Sequence, residues 1–93
     1  MEFDWDSRKA ASNLAKHRVD FAEAIGIFDD PYLRTLADPR IVTETRYRAI
    51  GIVNGMVLFV VYTLRGDVCR IISARRASRR ERASYTLQAG HRS

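Results

Sequence analysis

The 93-residue sequence predicts a single small α+β domain. Three observations carry that prediction: two short capped helical segments near the start, three strand-like runs joined by tight turns, and a capped helix after the last run. The expected order is two N-terminal helices, an antiparallel β-meander of three to four strands and a C-terminal helix, with the helices over one sheet face. The domain is expected to occupy residues 1–90, leaving residues 91–93 as a flexible tail. The chain shows no internal repeat and no linker.

Residues 3–5 read as a short extended entry. Asp6 can cap a first helix over Ser7 to Lys16, whose apolar positions (Ala10, Ala11, Leu14, Ala15) are thin enough to need support from tertiary packing. His17 and Arg18 break it. Asp20 caps a second helix, with Glu23 placed to complete a capping box, and Phe21, Ala24, Ile25 and Phe28 form one apolar stripe. Asp29 and Asp30 before Pro31 stop it, because the residue preceding proline avoids helical geometry.

Tyr32 to Leu36 suits a short edge strand, and Ala37-Asp38-Pro39-Arg40 a turn. Glu44 to Val53 is the first strong strand. Asn54-Gly55 is the best hairpin signal in the chain. Met56 to Leu64 follows, nearly all apolar and therefore central, and after Arg65-Gly66-Asp67 comes a third strand, Val68 to Ala74. Ser78 and Glu81 form a capping box for a last helix reaching about Leu87, with Gly90 beyond it.

Charge is segregated along the chain. Residues 1–45 carry six Lys/Arg against nine Asp/Glu, whereas residues 46–93 carry ten against two. A basic half of that kind points to a polyanion or an acidic partner chain. Arginine outnumbers lysine fourteen to two, and its planar fork of donors suits phosphate oxygens better than a point charge does. One cysteine, Cys69 in an apolar strand, excludes an internal disulfide and suggests an inert core thiol. The acidic opening residues do not resemble a signal peptide, and the longest apolar run, Met56 to Tyr62, cannot span a bilayer, so a cytoplasmic location without membrane contact is expected.

The densest feature is the strand-to-helix junction from Arg70 to Tyr85, which holds Arg70, Arg75, Arg76, Arg79, Arg80 and Arg82 with Glu81 as its only acid. It is either a solvated helix start or an anion-binding feature; arginines in a first helical turn oppose the macrodipole preference. Strict alternation puts Arg70 and Arg76 on one face and Arg75 on the other. Arg46 and Arg48 share a face of a neighbouring strand and could extend a cradle for phosphates. Tyr47, Tyr62 and Tyr85 could stack on bases, although tyrosine in half-buried strands is more often ordinary packing. His17 either complements a helix C-terminus or, as the one internal histidine, transfers protons near neutral pH. His91 is expected to be idle. No residue spacing suggests a metal site, a cofactor or a Gly-rich phosphate loop.

Several stretches taken in order give the sequence a family resemblance: Phe3-Asp4-Trp5-Asp6, Asn13 to His17, Val19-Asp20-Phe21 with Glu23 and Ala24, Phe28 to Pro31, Glu44-Thr45-Arg46, Ile50-Gly51, Leu58 to Tyr62, and Arg70 to Arg82 with Tyr85. Together these resemble the BrnT family of bacterial type II toxin–antitoxin ribonuclease toxins. Tyr47 departs from the tryptophan expected in many relatives. The resemblance implies a RelE-like fold, metal-independent RNA cleavage that inhibits translation, and neutralisation by a BrnA-type, DNA-binding antitoxin in a hetero-oligomer. For such a reaction, residue chemistry makes His17, Arg46, Arg75 and Arg79 the catalytic candidates, and Lys9, Arg48, Arg70, Arg76, Arg82, Tyr47 and Tyr85 the RNA-binding ones. Arginines would stabilise the phosphorane charge, while His17, Lys9, Glu44 or Tyr85 would be left for proton transfer, or no dedicated base would exist. The competing expectation is a non-catalytic nucleic-acid- or partner-binding module.

Overall fold

Two tight turns fix the middle of the sheet. Asn54 and Gly55 both adopt positive φ (51° and 78°), the combination whose twist matches paired strands, and Gly66 (φ 60°) opens the second turn. The computed structural model describes residues 1–38 and 44–90, with side chains to residue 87. In it these turns join β3 (Arg46–Val53), β4 (Met56–Arg65) and β5 (Val68–Arg76) as an antiparallel meander. β2 (Arg34–Asp38) pairs antiparallel with β3 at one edge. Three helices complete the order: α1 (Ser7–His17), α2 (Phe21–Ala24) and α3 (Arg79–Gly90).

The α+β class and the helix–helix, meander, helix order are as expected; the details differ, first in the elements themselves. The extended entry is a true strand, β1 (Glu2–Trp5), which pairs parallel with β5 and makes a five-stranded sheet of order β1-β5-β4-β3-β2. Four residues carry too little periodicity to announce a strand, and β1 gains its partner from the far end of the chain. The second helix is one α turn continued as a 3-10 segment, Ile25–Asp29, which brings Ile27 into the core beside the expected stripe of Phe21, Ala24, Ile25 and Phe28. Its capping box does not form: Asp20 accepts from the Ala22 N–H, and the Glu23 carboxylate accepts instead from Asn54 Nδ2 at 3.0 Å. The turn expected over residues 37–40 lies partly in β2 and partly outside the described residues, as does the tail at 91–93.

One sheet face carries the core. Ala49, Leu58, Val60, Tyr62, Cys69, Ile71 and Ala74 meet Val19, Phe21, Ala24 and Ile27 from the helical side. Gly51 sits where a Cβ would lie 3.0 Å from both Ile27 Cβ and Leu33 Cδ1, so a side chain there would push these neighbours back by a few tenths of an ångström. Phe3, Phe28, Tyr62 and Tyr47 continue the packing as a chain of ring contacts with centroids 5.2–5.4 Å apart. Burial holds the Cys69 thiol up at about 11, with the Asp4 charge adding to the effect, as an inert core thiol requires.

Asn13, the only buried residue of α1, closes the sheet where β1 stops. β1 covers β5 only as far as Ile71. Beyond that point the Ala74 N–H donates to Asn13 Oδ1 (3.1 Å), and Asn13 Nδ2 donates to the Ala74 carbonyl (2.7 Å) and to that of Val19 (3.1 Å). A side-chain amide thus supplies the hydrogen bonds that a further strand residue would make.

Candidate functional site

Cross-strand register also fixes the opposite face. Arg46, Thr63 and Arg70 form one row across β3, β4 and β5; Arg48, Val61 and Ser73 a second; Ile50, Phe59 and Arg75 a third. β2 extends the rows with Asp38, Leu36 and Arg34, and β1 adds Asp4 beside Arg70. Arg46, Arg48, Arg70 and Arg75 therefore share one surface. Strands lie about 4.8 Å apart, so Arg46 and Arg70 are separated by roughly 10 Å at Cα.

Strict alternation predicts Arg70 and Arg75 on opposite faces, and the structure corrects this. Ile72 has no partner on β4: Val61 faces Ser73 and Tyr62 faces Ile71. That one-residue bulge turns the rest of the strand over, bringing Arg75 onto the face of Arg70 and sending Arg76 to the helical side, opposite Leu58. α3 also departs from expectation, because it lies over the arginine face rather than with α1 and α2. Arg34 Nη1 donates to Ser84 Oγ (2.6 Å), and Arg75 makes a bidentate pair with Glu81 (2.8 and 3.0 Å).

The four arginines are held differently. Arg75 is clamped by Glu81 and lies with its guanidinium carbon 4.1 Å from the Phe59 ring centroid. Hydrogen bonds from Arg75 hold the Glu81 carboxyl down at about 2, outweighing burial, with the Ser78 N–H adding to the effect. The expected Ser78–Glu81 capping box is present, with bonds of 2.7 and 3.2 Å. Arg70 is paired with Asp4 at 3.2 Å. Arg46 and Arg48 each bury their Nε with no hydrogen-bond partner among the described residues. Guanidinium cannot escape by losing a proton, and an unpaired buried donor costs about 1–3 kcal/mol.

The other sequence candidates separate. Lys9 and His17 line a shallow groove with Ser12, Asn13, Lys16, Ile72 and Ser73, where α1 passes the bulge; Ser73 belongs to the Arg48 row, so the groove adjoins the arginine face. Arg79 is exposed in the first turn of α3, and Arg82, also exposed, donates to the Ala77 carbonyl at 3.0 Å. Tyr47 is stacked on Tyr62 on the helical face, away from Arg46 and Arg48. Tyr85 is buried and donates its hydroxyl to Asp30 Oδ2 at 2.5 Å, which leaves no ring face free for a base. Glu44 is paired with Arg65 at 3.2 Å.

Asp30 is a centre that sequence reasoning treated only as a helix stop. Its carboxylate accepts from the N–H of Tyr32 (2.9 Å) and of Ile52 (2.8 Å) as well as from Tyr85. Burial raises its carboxyl, but these three donors outweigh it and the net shift is downward. Burial and the Asp30 charge push the Tyr85 hydroxyl well above the usual phenol range. An aspartate directly before proline was the available signal for such a turn. Among the described residues no three His, Cys, Asp or Glu side chains converge, and no helix is long and apolar enough to cross a membrane.

A comparison with family models finds one described as ribonuclease toxin, BrnT, of type II toxin-antitoxin system, matching residues 5–81, from the end of β1 into the first turn of α3. A search of curated proteins finds no match.

Proposed function

Because the chain belongs to the BrnT family of ribonuclease toxins of type II toxin–antitoxin systems, we propose that it cleaves single-stranded RNA on the arginine face without a metal ion, inhibits translation in the cytoplasm, and is neutralised by a BrnA-type antitoxin in a hetero-oligomer. The observation that carries this reading is the bulge at Ile72, which gathers Arg46, Arg48, Arg70 and Arg75 on one surface. The whole described chain acts as one toxin domain.

In the proposed reaction the ribose 2′-hydroxyl attacks the adjacent phosphate, forming a 2′,3′-cyclic phosphate as the bond to the 5′-oxygen breaks. Arg46 and Arg48 donate through their guanidinium groups to the phosphate oxygens as negative charge grows on the phosphorane. Arg75 adds charge from a position fixed by Glu81 and Phe59. Arg79 at the open start of α3 contacts the flanking backbone, as do Arg70, Arg82 and Lys9, while Arg76, on the opposite sheet face, is set aside. His17 takes or returns the proton, reaching the reacting group along the groove by Ser73. Tyr47 and Tyr85 are set aside on their packing. The antitoxin covers this face with acidic and apolar surface.

The test is incubation of purified protein with RNA, with and without EDTA, followed by analysis of fragment ends. Cyclic phosphate ends formed equally in both samples support the reading. Intact RNA sinks it in favour of a binding module. His17→Ala is expected to slow cleavage partially, with a changed pH profile.

A further inference from the structure

Between the arginine face and α3 lies a cavity of about 170 Å³ lined by Arg34, Leu36, Arg48, Ile50, Phe59 and Glu81. It is well below the roughly 300–1,000 Å³ typical of pockets for drug-sized ligands, and its size suits one planar heterocycle. Its walls combine three apolar side chains with two cationic forks and one carboxylate. We infer that this cavity is a nucleobase subsite that selects guanine at one position of the RNA; the inference rests on the ribonuclease reading above.

The polar inventory argues for guanine. Arg48 lines the cavity with its guanidinium fork, and Arg34, beside it in the wall, commits one nitrogen to Ser84 and keeps further donors. Glu81 offers about four lone-pair directions, of which Arg75 takes two and the Ser78 N–H one, leaving one acceptor site on Oε2. The ligand must therefore present acceptors to guanidinium groups and an N–H to a carboxylate. Guanine does both, with O6 and N7 side by side for an arginine fork, and with the ring N1–H adjoining O6. Adenine lacks that adjacent acceptor pair, and a pyrimidine leaves more of the cavity empty. Leu36, 54% exposed on the edge strand, forms the mouth.

The test is calorimetric titration of the whole protein with GMP, AMP, CMP and UMP, whose shared phosphate cancels the contribution of the arginine face. GMP is expected to bind roughly tenfold tighter than the others. Leu36→Trp, filling the mouth from an exposed position, brings GMP down to the level of the rest. Leu36→Ala, widening the mouth, narrows the preference without adding bulk. Equal affinities in the wild type, tighter binding of UMP than GMP, or a preference that survives both variants overturns the subsite. RNA cleavage that shows no fixed guanine near the cut overturns it too and leaves the ribonuclease reading standing. A guanine preference in titration without any cleavage supports the subsite and sinks that reading instead.

Discussion

At the scale of single residues, the same chemistry is used in opposite ways on the two sheet faces. On the helical side every buried polar group is bonded to a purpose. Asn13→Ala would strand the N–H and carbonyl of Ala74 and the carbonyl of Val19, at about 1–3 kcal/mol for each group left buried and unpaired. Urea denaturation is expected to show that loss as a lower midpoint with an unchanged slope. On the arginine face the Nε groups of Arg46 and Arg48 have no partner among the described residues. Arg48→Met removes one such group and keeps the stem, so the variant is expected to equal the wild type in stability or exceed it by about 1 kcal/mol. The same change is expected to cut RNA cleavage by about 10²-fold, the usual cost of losing one donor to a transition-state oxyanion. A variant losing both stability and activity would make Arg48 a structural residue.

At the scale of elements, the sequence made most of the fold legible and lost it where pairing is non-local. Tight turns and caps are written locally, so Asn54-Gly55, Asp6 and Ser78 with Glu81 all behave as their chemistry dictates. β1 and the bulge are not local. Nothing within Arg70–Arg76 distinguishes a straight strand from one that skips Ile72; the choice is made by β4, whose apolar row Leu58, Val60 and Tyr62 must all face the helices. The candidate site was half legible for the same reason: the arginines were countable, but the face each takes was not. Asp30 and Asn13, read as a stop and a helix residue, bind partners 55 and 61 positions away. α3 illustrates the energetics of such a docked element. Its Glu81 is held ionised at about 2, below its ordinary value of 4.5. That contribution is fully present above the ordinary value and is lost as pH falls from about 4.5 towards 2. Glu81→Gln is expected to flatten the stability curve across that acid window in thermal melts taken at successive pH values.

At the scale of the whole molecule, charge and core are separated by the thickness of one sheet. The apolar face is sealed by α1, α2 and the 3-10 segment, so the arginines lie outside the core, Arg70 and Arg75 each beside a carboxylate. On the proposed reading RNA binds this face and releases counterions. With about seven cations on phosphates, the logarithm of RNA affinity is expected to fall against the logarithm of salt with a slope of about −5. Filter binding across a salt series measures it, and a slope near zero would remove the arginine face from RNA recognition.

The parallel strand β1 has a consequence in time rather than in space. Residues 2–5 find their only sheet partner in residues 68–71, and Asn13 waits for Ala74. A chain emerging from the ribosome therefore holds its first helix beside an absent edge until β5 is made, and contacts of such long sequence separation form late. The arginine face, assembled from β3, β4 and β5 with α3 over it, does not exist on any shorter nascent chain. A protein whose finished surface binds RNA on the proposed reading is thus synthesised, almost to its last strand, without that surface.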